Sequence, residues 1–391
     1  MNLLIVHDYL GVKGGAERNI IDSALGLKLK GHNVYLCYLS KLDKSLDEME
    51  RAFTETFDIN KNKIGRIDNI VSYCKADVVY LHKISNMKLF ANLLSLSIPI
   101  VRMIHDHDIY CNRNYKYFPI GRLLCTYPPG IGCVFPCFSF IKRNRQSLMP
   151  VRFDFFNQIN LDIKYTKQCS KLIVATKYMK NNIAQLNVNL KKINVIPPIP
   201  FCDNEVNYEP IGDKKVPIIL FVGQIIRGKG VDCLIRSLQY ICSDYECIVV
   251  GDGTHLEYCK NLSKKLKLTD KVKFTGWLNQ GKLREFYLKA QILAVPSVWP
   301  EPMGLIGIEA MRHSLPVVAF DAGGISDWLK DGKNGFLIKR KDIKGFADKL
   351  QYLLNNPAIA LEFGLFGNEL VKTVFDFSKY IDKLETTLFS E

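Results

Sequence analysis

Val295-Pro296-Ser297-Val298-Trp299-Pro300-Glu301-Pro302-Met303-Gly304-Leu305-Ile306-Gly307-Ile308-Glu309-Ala310-Met311 joins an apolar run to a helical one. Val295-Pro296-Ser297 reads as the end of a buried strand. Pro302, with its fixed φ and missing N–H, suits the first position of a helix. The N–H groups of Met303, Gly304 and Leu305 would then point out of the helix start, where the macrodipole favours an anion. Gly304 leaves room for a phosphate to come close. Glu301 stands at the mouth of this cradle, and Glu309 follows roughly 12 Å further along a helix rising 1.5 Å per residue. A ligand with hydroxyls at both ends and a diphosphate between them, such as a nucleotide-sugar, fits that spacing. A glycosidase pair fits it less well, because its carboxylates sit about 5–9.5 Å apart across one sugar ring.

Outward from this stretch, short β-branched runs alternate with helix-forming and turn residues. Strands are predicted at residues 3–6, 34–38, 77–81, 99–104, 171–175 and 193–196. The pattern breaks at Ile196-Pro197-Pro198-Ile199-Pro200 and in the polar residues 203–213, the best linker candidate. It resumes with strands at 217–222, 246–250, 272–275, 291–295, 315–319 and 335–338. Two successive β-α-β arrays predict an α/β protein with two parallel sheets, each covered by helices on both faces. Ligands of such sheets bind beyond the carboxyl ends of the strands.

Three loops stand at those ends. Gly11-Val12-Lys13-Gly14-Gly15-Ala16-Glu17-Arg18 follows the first strand, and its glycines permit close approach of a ligand to a helix start. Its spacing is not the G-x-G-x-x-G dinucleotide fingerprint, which speaks against a nicotinamide oxidoreductase. Gly223-Gln224-Ile225-Ile226-Arg227-Gly228-Lys229-Gly230 follows the first strand of the second array. His105-Asp106-His107-Asp108 follows the run at 99–104.

These loops, together with the E-x₇-E spacing of Glu301 and Glu309, resemble the retaining family-4 glycosyltransferases over nearly the whole chain. The resemblance implies a GT-B fold, two Rossmann-like domains facing across a cleft. Residues 1–200 would form the acceptor domain and 201–374 the nucleotide-sugar domain, with the last helix, 375–391, packing back on the first. It implies transfer of a sugar from a nucleotide-sugar to an acceptor hydroxyl with retention, in cell-surface polysaccharide or glycolipid synthesis. Glu301 would hold donor-sugar hydroxyls and Glu309 the ribose. Lys229, with the start at Met303, Gly304 and Leu305, would stabilise the departing diphosphate. Gly14 and Gly15 would approach the donor phosphates or the acceptor, and His105 would face the donor sugar. One departure stands out: Gln224 occupies the usual arginine position, and Arg227 is the nearest cation able to supply that charge. The alternative reading is a non-catalytic sugar- or lipid-binding protein that retains the fold. No cofactor is required in the family, since the nucleotide-sugar is a substrate.

The net charge of +14 is uneven. Residues 1–205 hold 28 Lys and Arg against 17 Asp and Glu, a difference of +11, leaving +3 for the remainder. An anionic surface or substrate is expected to face the first half. Nucleic acid is not the expected partner, because no zinc-finger spacing, RNP strand or helix-turn-helix is visible. No run reaches the ~20 apolar residues of a spanning helix, and the start reads as a strand instead of a signal peptide. A cytoplasmic protein, peripheral on the inner face of the membrane, is the expectation. Cys111, Cys125, Cys133 and Cys137 lie close in sequence and are candidate ligands of a structural zinc or iron–sulfur site, with buried thiols as the alternative. Around them Arg113, Lys116, Arg122, Lys142, Arg143 and Arg145 alternate with aromatic residues, a composition suited to a membrane interface and a lipid-linked acceptor.

Overall fold

A computed structural model describes residues 1–12, 14–42, 46–60, 66–143, 151–153, 157–201 and 216–390, with only the backbone at 142–143, 151–152 and 280. The linker candidate at 203–213, Lys13 and Arg145 lie outside the described residues. The chain divides into two compact units. The first comprises Met1–Pro119, Cys125–Phe201 and Phe377–Glu391; the second comprises Ile120–Leu124 and Cys202–Asp376.

In the first unit, β1 (Asn2–Leu10), β2 (Asn33–Lys41), β3 (Glu55–Asp58), β4 (Val78–Leu81) and β5 (Ile100–Ile104) precede the hairpin strands β6 (Ile141–Arg143) and β7 (Val151–Phe153), which are followed by β8 (Lys171–Val174) and β9 (Ile193–Val195). Seven of these form a sheet in the order β3-β2-β1-β4-β5-β8-β9, and every pairing in it is parallel. Leu3, Leu4, Ile5 and Val6 of β1 are all buried. A central parallel strand is covered on both faces and so reads as a continuous apolar run. The helix Phe377–Phe389 packs on the helix Gly15–Leu29, where Tyr380 Oη meets Ser23 Oγ at 2.7 Å and accepts from Asn19 Nδ2 at 2.8 Å. Ile381 fills the space over Gly26, where an added Cβ would lie 2.5 Å from its side chain.

The second unit carries β10 (Ile218–Val222), β11 (Glu246–Val250), β12 (Val272–Gly276), β13 (Ile292–Val295), β14 (Val317–Phe320) and β15 (Gly335–Ile338) in the order β12-β11-β10-β13-β14-β15, again all parallel. Both sheets reverse their winding beside the first strand, between β1 and β4 and between β10 and β13. Such a switch point leaves a crevice at the carboxyl ends of the two strands. Sequence periodicity missed β3 and the β6–β7 hairpin. In Glu55-Thr56-Phe57-Asp58 only Phe57 is buried, and an edge strand with a single buried side chain gives no periodic signal.

Candidate functional site

In the second unit the loop after β10 and the loop after β13 meet over the switch point. The carbonyl of Gly228 accepts the N–H groups of Val298 at 2.8 Å and Trp299 at 3.0 Å, tying the loops together. Lys229 Nζ donates to both carboxylate oxygens of Glu301, at 2.7 and 2.8 Å, and lies 5.2 Å from the Trp299 ring centroid. Ser297 Oγ donates to the Oε1 that Lys229 also contacts. Glu301 is only 3% exposed. A carboxylate offers about four lone-pair sites. Three are used here, and the one left on Oε2 can accept a ligand hydroxyl.

The helix after Glu301 starts later than the sequence suggested. Pro302 is not its first residue; the helix spans Leu305–Arg312, and Gly304 precedes it in the left-handed region at φ 80°. The cause is a parallel bridge between Glu301 and Gly323. Glu301 N–H donates to the Ala322 carbonyl at 3.1 Å, and its own carbonyl accepts from Gly324 at 2.7 Å. The chain is thus held extended through Pro302, and Gly304 supplies the positive φ that turns it into the helix. Leu305 and Ile306, at the helix start, are left without helical acceptors for their N–H groups. Met303 is fixed by Trp328, whose Nε1 donates to its carbonyl at 2.7 Å. Glu309 therefore sits barely more than one turn into the helix, so the separation expected from a continuous helix between the glutamates does not apply.

Glu309 Oε2 accepts from the Tyr287 hydroxyl at 2.9 Å, and the Tyr287 ring stacks on His313. Burial pushes the Glu309 carboxyl above its ordinary value despite that hydrogen bond and the nearby Arg312. Arg227 begins the short 3₁₀ turn Arg227–Lys229 and is exposed, as is Gln224. The carbonyl of Arg227 accepts from Arg122, whose guanidinium also grips Asp232 at 3.0 and 2.7 Å.

The first unit brings together residues at the ends of β1, β4 and β5. Gly14 caps the helix Gly15–Leu29, and the Glu17 carboxylate reaches back to accept its N–H at 2.8 Å. The other Glu17 oxygen lies 3.3 Å from His7 Nε2. Burial pushes the Glu17 carboxyl up, but His7 together with the backbone N–H groups of Glu17 and Gly14 outweighs it and holds the group below its ordinary value. His105 Nε2 is 2.6 Å from Nδ1 of the fully buried His82, and their rings stack. His107, left without a role by the sequence, is buried with Nδ1 2.6 Å from Tyr110 Oη. His7, Glu17 as a capping residue, His82, Ser297 and Tyr287 were not found from sequence. His82 had a usable signal, since it directly follows an apolar strand as His105 does. Tyr287 had none, because it comes from a different helix.

Burial and neighbouring His7 push His105 down to about 4, and burial with His105 and His7 lowers His82 well below 6.5. The unfolded chain thus binds protons below pH 6.5 that the folded chain refuses. Stability is fully present above that pH and is lost as the pH falls toward 4. The melting temperature is expected to drop across this window, and less steeply in H82N/H105N. Identical slopes in both proteins would clear the two rings of responsibility.

The four cysteines do not assemble as a metal site. Cys111, Cys133 and Cys137 are buried free thiols and Cys125 is partly exposed. Among the described residues no three His, Cys, Asp or Glu side chains are grouped to hold a metal ion. Burial also raises the Cys125 and Cys137 thiols, which opposes the thiolate form a metal needs. No helix among the described residues is long and apolar enough to cross a membrane.

The profile described as Glycosyltransferase Family 4 matches residues 13–199, and that of Glycosyl transferases group 1 matches residues 207–367. An alpha-1,3/1,6-mannosyltransferase, ALG2 of Dictyostelium discoideum, is 25% identical across 99% of this chain and 97% of its own length. An uncharacterized glycosyltransferase of Methanocaldococcus jannaschii is 31% identical over 53% of this chain, and the match spans 56% of that protein. The crystal structure of Anabaena Alr3699/HepE in complex with UDP superposes with a TM-score of 0.76 at 19% identity, covering all of both chains. The fold is GT-B, and the chain belongs to glycosyltransferase family 4.

Proposed function

We propose that this family-4 protein transfers a sugar from a nucleotide-sugar to a hydroxyl of a glycan or lipid-linked acceptor, with retention, at the inner face of the cell membrane. The observation that carries the reading is the bidentate contact of Lys229 with buried Glu301, made by loops from the two strands that flank the switch point. The Lys229 cation and the helix start at Leu305 suit a diphosphate whose negative charge grows as the sugar departs. The free lone pair of Glu301 suits a donor-sugar hydroxyl, and Glu309 suits the ribose. His105, neutral at pH 7, is a hydrogen-bonding group for the sugar and not a charged one. The leaving phosphate assists deprotonation of the acceptor on the same face, so the mechanism requires no cofactor. UDP, which HepE holds in its crystal structure, is the first nucleotide to test. A thermal-shift panel of UDP-, GDP-, TDP- and ADP-sugars should identify one stabilising donor. Absence of stabilisation by every member would end the proposal.

Exposed Gln224 at the usual arginine position favours the second reading, a binding protein without turnover. Release of nucleoside diphosphate from the stabilising donor separates the two.

The roles of the glutamates are separable by calorimetry with the free nucleoside diphosphate. Glu309→Gln should weaken its binding, whereas Glu301→Gln should leave it nearly intact and slow transfer. Because the Glu309 carboxyl is raised, nucleotide affinity should also fall on acidification at a higher pH than an ordinary carboxylate would give. Equal losses of affinity in the two variants would remove the assignment.

A further inference from the structure

The segment carrying the cysteines turns its apolar side chains outward. Cys133, Cys137 and Ser139 are buried, while Ile131 (88% exposed), Phe135 (69%), Val134 and Phe138 between them face out. These four form one patch. Ile131, Val134 and Phe135 share a face of the turn Ile131–Val134, and Phe135 meets Phe138 edge-on at 5.6 Å between ring centroids. Tyr127 extends the patch, since its ring lies 3.2 Å from where a Cβ on Gly132 would stand. The outward orientation is fixed from below. Arg113 donates to the carbonyls of Cys137 and Phe138, Asn112 Nδ2 to the carbonyl of Ser139, and Ser139 Oγ to the carbonyl of Cys133.

Charge identifies the partner. Between Asp108 and Asp154 the sequence has seven Lys and Arg and no acidic residue. An apolar, aromatic patch with a phenol at its edge in an acid-free, basic segment matches the interface of an anionic bilayer. We infer that Tyr127, Ile131, Val134, Phe135 and Phe138 insert into the interfacial layer of an anionic membrane, beside which the lipid-linked acceptor is met. The sequence alone suggested docking by the basic side chains. The structure moves the main contact to the apolar ones, because Lys116 is 2% exposed beneath the Tyr127 carbonyl and Arg122 is committed to Asp232. Lys142, Arg143 and Arg145 have no described side chains. The inference takes the lipid-linked acceptor from the proposed function, but membrane insertion itself is tested without donor or acceptor.

Co-sedimentation with vesicles of phosphatidylglycerol and phosphatidylcholine, against phosphatidylcholine alone, tests it in the full chain. The wild-type protein should bind the anionic vesicles, and raised salt should weaken that binding without abolishing it, because apolar insertion is not screened. Ile131→Asp with Phe135→Asp should lower partitioning about tenfold or more while the nucleotide-induced thermal shift is retained. Undiminished binding by the double variant would overturn the inference. So would wild-type protein that ignores both vesicles, including the case in which light scattering shows a dimer that the double variant loses. A lost nucleotide shift with intact vesicle binding would instead strike at the proposed function and leave the membrane contact standing.

Discussion

Replacing Lys229 with alanine is expected to lower kcat/KM for sugar transfer by roughly 10²–10³-fold, about 2.7–4 kcal/mol, the scale of losing one electrostatic stabiliser of developing charge. Two effects would combine. The departing diphosphate loses its cation, and Glu301, buried and otherwise held by Ser297, loses its counter-charge. Breaking a buried ion pair by removing one partner is destabilising in its own right. The double variant K229A/E301Q separates the contributions, because a neutral glutamine no longer needs the lysine. Thermal stability should recover toward that of Glu301→Gln alone in the double variant, while turnover should fall well below that of Glu301→Gln alone. If the double variant turns over like Glu301→Gln alone, Lys229 serves only to neutralise Glu301 and has no part in stabilising the leaving group.

Arg227 offers a smaller companion test. If it supplies the charge that Gln224 lacks, Arg227→Ala should approach the cost of losing Lys229. Wild-type turnover in that variant would leave Gln224 to act alone through neutral hydrogen bonds, which are about half as strong as charge-assisted ones.

The two parallel sheets were legible because their strands are buried on both faces. Leu3-Leu4-Ile5-Val6 and Ile218-Ile219-Leu220-Phe221-Val222 are apolar without interruption, and that pattern survives in a single sequence. In the candidate site the sequence marked the short-spaced residues Glu301, Gly304 and Glu309, and the structure gives Gly304 the positive φ that turns the chain into the helix. The site was illegible where tertiary contacts decide. Nothing local shows that Glu301 forms a bridge to Gly323, which delays the helix to Leu305. The pairing of His82 with His105 arises because β4 and β5 are neighbours in the sheet, although the two residues are far apart in sequence. The outward face of Ile131–Val134 reverses the usual apolar-inside pattern, so periodicity alone would have turned it inward.

Gly230→Ala is expected to be among the most damaging small substitutions in the second unit. Gly230 links the turn Arg227–Lys229 to the helix Val231–Leu238 with φ 71° and ψ 22°, a left-handed conformation costing an L-residue roughly 1–2 kcal/mol. The surroundings add more. A Cβ there would lie 1.8 Å from the Pro296 carbonyl oxygen, a backbone atom of the facing loop that cannot rotate aside. The loops after β10 and β13 would have to part, stretching the bonds from Val298 and Trp299 to Gly228 and drawing Lys229 away from Glu301. A stability loss of roughly 2–4 kcal/mol and a fall in transfer comparable to that of Lys229→Ala should follow. Gly281→Ala is the control. Gly281 lies in the exposed first turn of the helix Gln280–Lys289, and a Cβ there meets only the Asn279 side chain at 3.8 Å. Alanine at that position should be neutral or stabilising by about 0.5–1 kcal/mol. Melting curves with and without the stabilising nucleotide decide the matter. A Gly230→Ala protein that melts, binds and turns over like wild type would mean that the two loops are not held together as tightly as the Lys229–Glu301 contact requires.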